Sequence, residues 1–144
     1  MSGSCVVCEI LRGALPAHLV FEDKHSLAFL DQRPLFPGHC LLTPREHHET
    51  LQDLPPELVG PLFLNARLLT RAVECGMHAE GVFVAINNRV SQSVPHLHIH
   101  IVPRRRKDGL RGFFWPRGKY ESEEGAVAAR DAIRAALAEL RQQG

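Results

Sequence analysis

The chain has 144 residues, of which 44% are hydrophobic and 23% charged, and its formal net charge is +1. This length and composition predict one globular domain with a single core, and they argue against disorder, a membrane span and a protein that coats nucleic acid. The N-terminus lacks the features of a secretory signal, so we expect a cytoplasmic protein whose four cysteines are thiols or metal ligands rather than disulfides.

The first part of the chain predicts a helical turn followed by three short strands. The turn follows Cys5-Val6-Val7-Cys8 and ends at Gly13. Apolar runs bounded by turn residues predict strands at 19–23, 27–30 and 39–43. The loop before the third strand contains two prolines and a glycine, and it leads directly into His39.

The second part predicts a long helix, two more strands and a terminal helix. Apolar residues recur at helical spacing over 55–76, and Pro61 inside this pattern is expected to kink the helix or to mark its true start. Strands are predicted at 81–86 and 93–102, and a helix at 122–142. Five strands around a central helix, with helices at both ends, predict an α+β domain with a largely antiparallel sheet.

The predicted fifth strand carries an unusual row of histidines. His96, His98 and His100 alternate with aliphatic residues, which is the period of a β-strand. We therefore expect the aliphatic side chains to enter the core and the three imidazoles to form a row on the opposite, exposed face. Imidazole titrates near neutral pH, binds metals and can act as a nucleophile, so this row indicates a functional site.

The pattern His-φ-His-φ-His-φ-φ over 96–102, where φ is apolar, resembles the signature of the histidine-triad (HIT) superfamily. Further blocks that resemble the family, in the expected order, lie at 28–31, 37–44, 45–47 and 92–94. The resemblance implies a single HIT domain over 1–144, with the family blocks in 5–106 and a variable basic and aromatic loop and C-terminal helix in 107–144. It also implies a five-stranded antiparallel sheet that pairs with a second copy, giving a homodimer with a ten-stranded sheet.

The resemblance further implies a reaction at the α-phosphate of a nucleotide, without an organic cofactor. His98 would be the nucleophile that forms a covalent nucleotidyl-histidine intermediate, with its other ring nitrogen held by a backbone carbonyl. His100 would donate a hydrogen bond to the phosphate, and His96 and Gln92 would complete the catalytic set.

The family positions that bind the nucleotide, expected here to be adenosine or another purine nucleotide, also have counterparts in this sequence. Asp31 would accept hydrogen bonds from the ribose, Phe29 would flank the base or serve as core, and His39 would have a structural or a catalytic role. The basic run 104–107 reads mainly as a solvated loop, and Trp115 would cover the nucleotide or cross a dimer interface. The residues expected to meet phosphate are Asn87, Ser93 and Arg104.

A metal site is also implied by the resemblance. A Cys-x-x-Cys pair alone is equally typical of redox pairs. In family members with this pair, however, it binds structural zinc together with two histidines, which here match His47 and His96. Two thiolates and two imidazoles make a closed tetrahedral site, and the neighbouring His48 leaves the choice of the third ligand open.

Four functions fit these residues. The preferred one is hydrolysis of a dinucleoside polyphosphate such as diadenosine tetraphosphate, and its close alternative is a Hint-like nucleoside phosphoramidase. Nucleotidyl transfer is disfavoured because the related transferases contain the fold twice and typically replace the last histidine. A nucleotide-binding adaptor without catalysis is disfavoured because all three histidines are intact.

Overall fold

A computed structural model describes residues 5–111 and 117–143. Trp115, for which two roles were predicted, lies outside these described residues. Backbone contacts group the chain into two compact units, Met1–Asp108 and Gly109–Gly144. The described part of the second unit contains α3 (Glu123–Gln143), close to the predicted 122–142, and none of the side chains of α3 is buried.

The first unit is built on a five-stranded antiparallel sheet in the order β1-β2-β3-β5-β4. The sheet and its helices confirm the predicted α+β class. In the described parts of the chain, no helix combines the length and apolar character that crossing a membrane requires. In chain order the elements are α1 (Val6–Leu11), β1 (Leu19–Glu22), β2 (Ser26–Leu30), β3 (Cys40–Pro44), α2 (Pro56–Gly76), β4 (Gly81–Ala85) and β5 (Ile99–Arg104).

One face of the sheet packs against α2 and forms the larger core. The helix begins at Pro56 and continues through Pro61, so Pro61 does not mark its start. Its buried residues follow the helical spacing seen in the sequence, and Ile99 and Ile101 of β5 face them as predicted. The buried cluster on this face consists of Ala28, Cys40, Leu42, Leu54, Leu62, Ala66, Leu69, Val73, Leu97, Ile99 and Ile101.

The opposite face of the sheet carries α1 and a smaller core. Val7 of α1 packs there with Leu27 and Phe29, and it is the one buried residue of this helix. A helix of six residues has little stability of its own, so α1 depends on its contacts with the sheet. The candidate site lies on this second face of the sheet.

The predicted start of the fifth strand was wrong, because β5 begins at Ile99 and not near residue 93. Pro95 has no N–H to donate to a strand partner. The N–H of Leu97 donates to the carbonyl of His48 at 2.7 Å, and the carbonyl of Pro44 at the end of β3 contacts the ring of His96 at 3.0 Å. His96 and His98 therefore lie in an irregular segment immediately before the strand.

Candidate active site and metal cluster

The three histidines do not form the exposed row that the alternation predicted. His96 is fully buried and His98 is 6% exposed. The ring of His96 contacts His47, whereas the ring of His100 contacts His39. The prediction failed because the backbone is not a regular strand across 96–98, and because α1 and His39 contact this face. Two clusters result, one around His98 and His100 and one around His96.

His98 is held by the backbone of the same segment. Its Nδ1 lies 2.7 Å from the carbonyl oxygen of His96, which can only accept a hydrogen bond. Nδ1 therefore carries the proton, and in the neutral ring Nε2 has a free lone pair. The ring centroids of His98 and His100 are 5.0 Å apart. This arrangement matches the predicted one for a nucleophilic imidazole in a fixed tautomer.

A second hydrogen-bond chain fixes His39 and His100. The backbone N–H of Leu35 donates to His39 Nδ1 at 3.0 Å, so the proton of neutral His39 is on Nε2. His39 Nε2 lies 3.0 Å from His100 Nδ1 and donates to it. Neutral His100 must then carry its own proton on Nε2, which makes this atom a hydrogen-bond donor.

The electrostatics of the pair keep both rings neutral. Burial, with contributions from His98 and His39, lowers the pKa of His100 to about 4. Burial also lowers the pKa of His39, against the opposing effect of the Asp31 carboxylate, whose Oδ2 lies 3.6 Å from His39 Nε2. Asp31 is itself oriented by the N–H of Arg33, which donates to its Oδ1 at 2.9 Å.

A cavity of about 410 Å³ lies on the same face of the sheet. Phe29, Asp31 and Leu41 line its sheet side, and Leu41 pairs with His100 in the β3–β5 register. Its other wall comes from the N-terminal segment, with side chains that were not predicted to belong to the site: Val6, Ile10, Leu15, Pro16, Ala17 and His18. The i, i+4 spacing of Val6 and Ile10 on a short helix was the available signal for this wall.

The loop before His96 holds three other predicted residues. The side-chain amide of Gln92 donates to the carbonyl of Glu49 at 2.5 Å and accepts from the N–H of Arg89 at 2.7 Å. In this arrangement the Gln92 amide shapes the loop. Asn87 and Ser93 are exposed on the same loop. The contacts of these residues with a phosphate stay predictions.

Arg104 lies at the far end of β5 from the histidines. It pairs with Gly81 in the register, and at about 3.3 Å per residue its backbone is roughly 13 Å from that of His100. Its guanidinium binds the carboxylate of Asp108 at 2.6 and 3.0 Å, and these bonds raise the pKa of Arg104. Arg106 similarly pairs with Glu80 at 2.7 Å. This placement does not support the predicted contact of Arg104 with a nucleotide.

The second cluster brings together Cys5, Cys8, His47 and His96, whose ligand atoms all lie within 4.8 Å of one another. Cys8 Sγ is 3.2 Å from His47 Nδ1, Cys5 Sγ is 3.5 Å from His96 Nδ1, and the two Nδ1 atoms are 3.1 Å apart. In tetrahedral zinc sites, Zn–N bonds of about 2.0–2.1 Å and Zn–S bonds of about 2.3 Å place N···N pairs about 3.3 Å and N···S pairs about 3.6 Å apart. The spacing therefore fits one metal ion.

The chemistry of the four groups also fits a metal ion. His96 Nε2 donates to the Pro44 carbonyl at 3.0 Å, and burial lowers the pKa of His96 to about 4, so its Nδ1 offers a lone pair to the cluster. Burial raises the pKa of the Cys8 thiol, so a cation is needed to hold this sulfur as a thiolate at neutral pH. His48 contacts Glu46 at 3.2 Å instead, so the structure selects His47 for the cluster. With both ring nitrogens of His96 engaged here, its geometry favours the predicted metal role over the predicted catalytic one.

Comparison with known proteins places these features in a family context. Residues 12–107 match the model of the HIT domain. The chain is 34% identical over 112 residues to the adenylylsulfatase HINT3 of Arabidopsis thaliana, covering 76% of this chain and 57% of that protein. It is 31% identical over 112 residues to the adenosine 5'-monophosphoramidase HNT1 of Saccharomyces cerevisiae, covering 76% of this chain and 69% of that protein.

A solved structure shows the same fold. The chain superposes on a Zn-bound histidine triad family protein from Mycobacterium smegmatis with a TM-score of 0.71, at 38% identity and 98% coverage of both chains. That protein is Zn-bound, which accords with the spacing of the cysteine and histidine cluster found here.

Proposed function

Because this chain belongs to the HIT family, we propose that it is a nucleotide hydrolase that cleaves a nucleoside phosphoramidate into an amine and a nucleoside monophosphate. The observation that carries this proposal is the hydrogen bond of 2.7 Å from His98 Nδ1 to the His96 carbonyl, which leaves Nε2 free to attack phosphorus. The yeast relative, named as a monophosphoramidase, favours this substrate over the dinucleoside polyphosphate preferred from the sequence.

In the first step, the lone pair of His98 Nε2 forms a bond to the α-phosphorus while the P–N bond to the amine breaks. The amine leaves with the electron pair of that bond and takes up a proton from water. The phosphorylated ring, protonated on Nδ1, is positively charged, and the carbonyl of His96 stabilises that charge. A neutral imidazole is both a good nucleophile and, once phosphorylated, a good leaving group.

In the second step, water attacks phosphorus and the P–Nε2 bond breaks, which returns the electron pair to His98 and releases the monophosphate and a proton. His100 Nε2–H donates to a phosphoryl oxygen in both steps, and this bond strengthens as charge develops there. His39 is a positioning residue, since it acts on the phosphate only through the tautomer of His100.

The cavity supplies a place for the nucleoside. Apolar side chains of Val6, Ile10, Phe29 and Leu41 suit the faces of a base, and the carboxylate of Asp31 suits the two ribose hydroxyls. A base and a ribose together need a few hundred Å³, which the cavity of about 410 Å³ provides.

We also propose that Cys5, Cys8, His47 and His96 hold zinc. A bound zinc ion supplies a structural cross-link, because two thiolates and two imidazoles complete a tetrahedron and leave no position for water or substrate. His96 belongs to this cluster through its ring and to the catalytic segment through its carbonyl.

The predicted homodimer stays a proposal, supported by two surface features. β4 lies at the edge of the sheet, where a second copy can extend it. Exposed apolar side chains lie on α2 and β4: Val59, Phe63, Leu64, Leu68 and Val84. Replacing Leu64 and Leu68 by glutamate should convert a dimer to a monomer in light scattering, and a monomeric unmodified protein would refute the dimer.

The substrate assignment is tested by measuring turnover of adenosine 5'-phosphoramidate, diadenosine tetraphosphate and adenosine 5'-phosphosulfate by the purified protein. We expect the highest kcat/KM for the phosphoramidate, and a loss of about a thousandfold or more in His98→Ala. His25→Ala, which alters a histidine in the β1–β2 turn, is the matched control and should keep full activity. A preference for either of the other substrates would overturn the phosphoramidase proposal.

A further inference from the structure

The metal cluster and the wall of the cavity share one short segment of the chain. Cys5 is the N-cap residue of α1, and its sulfur accepts from the N–H of Cys8, which lies within that helix. Val6 and Ile10 of the same helix line the cavity. α1 and its N-cap residue thus carry both thiols of the metal cluster and part of the wall opposite Phe29 and Leu41.

Apart from the thiols, this helix contacts the sheet through Val7 and the partly buried side chains of Ile10 and Leu11. Val7 is its one buried residue, whereas Val6 is 48% exposed although it is apolar. Without tertiary contacts a helix of this length is not stable. The thiols of Cys5 and Cys8 also lie within 3.6 Å of ring nitrogens of His47, which follows β3, and His96, which precedes β5.

We propose that metal binding by Cys5 and Cys8 builds the wall of the base pocket, so that metal occupancy sets the affinity for the base of the nucleotide. This inference rests on the proposed function for the identity of the ligand, a nucleoside monophosphate. Loss of the metal releases α1 from His47 and His96, and Val6 and Ile10 then no longer face Phe29. Val6 and Ile10 are accordingly specificity-determining residues for the base.

The proposal predicts that metal loss affects binding of the base and binding of the sugar and phosphate differently. Asp31, which suits the ribose, lies at the end of β2 and is held by the backbone N–H of Arg33 rather than by α1. Metal loss should therefore weaken binding of a ligand that has a base much more than binding of one that has only the sugar and the phosphate.

The experiment measures binding of AMP and of ribose 5-phosphate by calorimetry to zinc-loaded protein, chelator-treated protein and Cys8→Ser. We expect the Kd of AMP to rise tenfold or more in the last two samples, while the Kd of ribose 5-phosphate changes by less than twofold. Cys75→Ser, which replaces an exposed cysteine outside the cluster, is the matched control and should bind AMP normally. Equal losses for both ligands, or no loss for AMP, would overturn the proposal.

Two further measurements keep the test decisive if Cys8→Ser folds poorly. In zinc-loaded protein, Val6→Ser should raise the Kd of AMP without affecting that of ribose 5-phosphate, whereas Glu9→Gln on the same helix should alter neither. Amide hydrogen exchange over 6–12 should become faster after chelation, and unchanged exchange would refute the coupling.

Failure of the proposed function would give a result that differs from failure of this inference. A protein that binds AMP in the metal-dependent way but does not hydrolyse a phosphoramidate retains this inference and loses the enzymatic proposal.

Discussion

At the scale of single residues, two backbone carbonyls decide what two neighbouring histidines do. The Pro44 carbonyl accepts a hydrogen bond from His96 Nε2–H, so the Nδ1 lone pair of His96 faces the cysteines. The His96 carbonyl accepts a hydrogen bond from His98 Nδ1–H, so the Nε2 lone pair of His98 is free. Residues two apart in one motif thereby present opposite ring nitrogens, one suited to a metal and the other to phosphorus.

The chain from Leu35 through His39 to His100 makes a testable prediction about tautomers. His39→Ala removes the donor to His100 Nδ1, so His100 no longer has its proton fixed on Nε2. We expect kcat to fall on the order of tenfold to a hundredfold with little change in KM, as for other partners that orient a catalytic ring.

His39→Gln is the matched variant, because its side-chain amide can still donate to His100. It should recover part of the lost kcat. An unchanged kcat in His39→Ala, or equal losses in both variants, would contradict the positioning role.

At the scale of elements, the sequence predicted most strands and helices correctly but misplaced the start of β5. Alternation of Leu97, Ile99 and Ile101 correctly identified the core-facing side chains. It could not show that the N–H of Leu97 bonds to His48 rather than to a strand partner, because that contact joins residues distant in sequence. Local periodicity reports burial, but it does not report which backbone groups are paired.

The site shows the same limit. The family resemblance led to His98, His100 and the four residues of the metal cluster, and the structure brings these side chains together. It did not lead to the N-terminal wall of the cavity, because Val6 and Ile10 are ordinary apolar residues in a six-residue helix. Only the fold shows that this helix faces Phe29.

The loop before β3 depends on one glycine, which gives a prediction about stability. Gly38 has φ of +98°, and a Cβ atom added there would lie 2.6 Å from Met77 Cγ. Gly38→Ala should lower the free energy of unfolding by about 1–3 kcal/mol, through backbone strain and this clash, and it should also displace the adjacent His39.

Urea denaturation followed by circular dichroism measures the effect. Gly60→Ala is the matched control: this glycine lies in α2 with no atom within 4 Å of the added Cβ, so the change should stabilise by about 0.5–1 kcal/mol. Equal effects at the two positions would contradict the account of the loop.

At the scale of the whole molecule, the neutral histidines predict how stability depends on pH. An unfolded histidine has a pKa of 6.5, whereas that of folded His100 is about 4. Between these values the unfolded chain binds a proton that the folded protein excludes, so stability falls as the pH decreases from 6.5 towards 4. One such group lowers the free energy of unfolding by up to about 1.4 kcal/mol for each pH unit of this decrease, and above pH 6.5 it causes no change in stability with pH.

His100→Gln removes this titration and retains an acceptor for His39. The unmodified protein and the variant, both saturated with zinc, are denatured at several values from pH 7 to pH 5. The variant should lose less stability over this range, because it lacks the His100 titration. The metal cluster is common to both proteins, so the difference between them reports His100. Parallel stability curves would show that His100 is not held neutral by the fold.

The central claim, that His98 forms a covalent bond to phosphorus, is tested most directly by trapping the intermediate. The protein is mixed with adenosine 5'-phosphoramidate, quenched within one turnover and analysed by intact mass spectrometry and peptide mapping. The account predicts a mass increase of one adenylyl group on His98 that is absent from His98→Ala. An adenylyl group on another residue, or full turnover by His98→Ala, would contradict it.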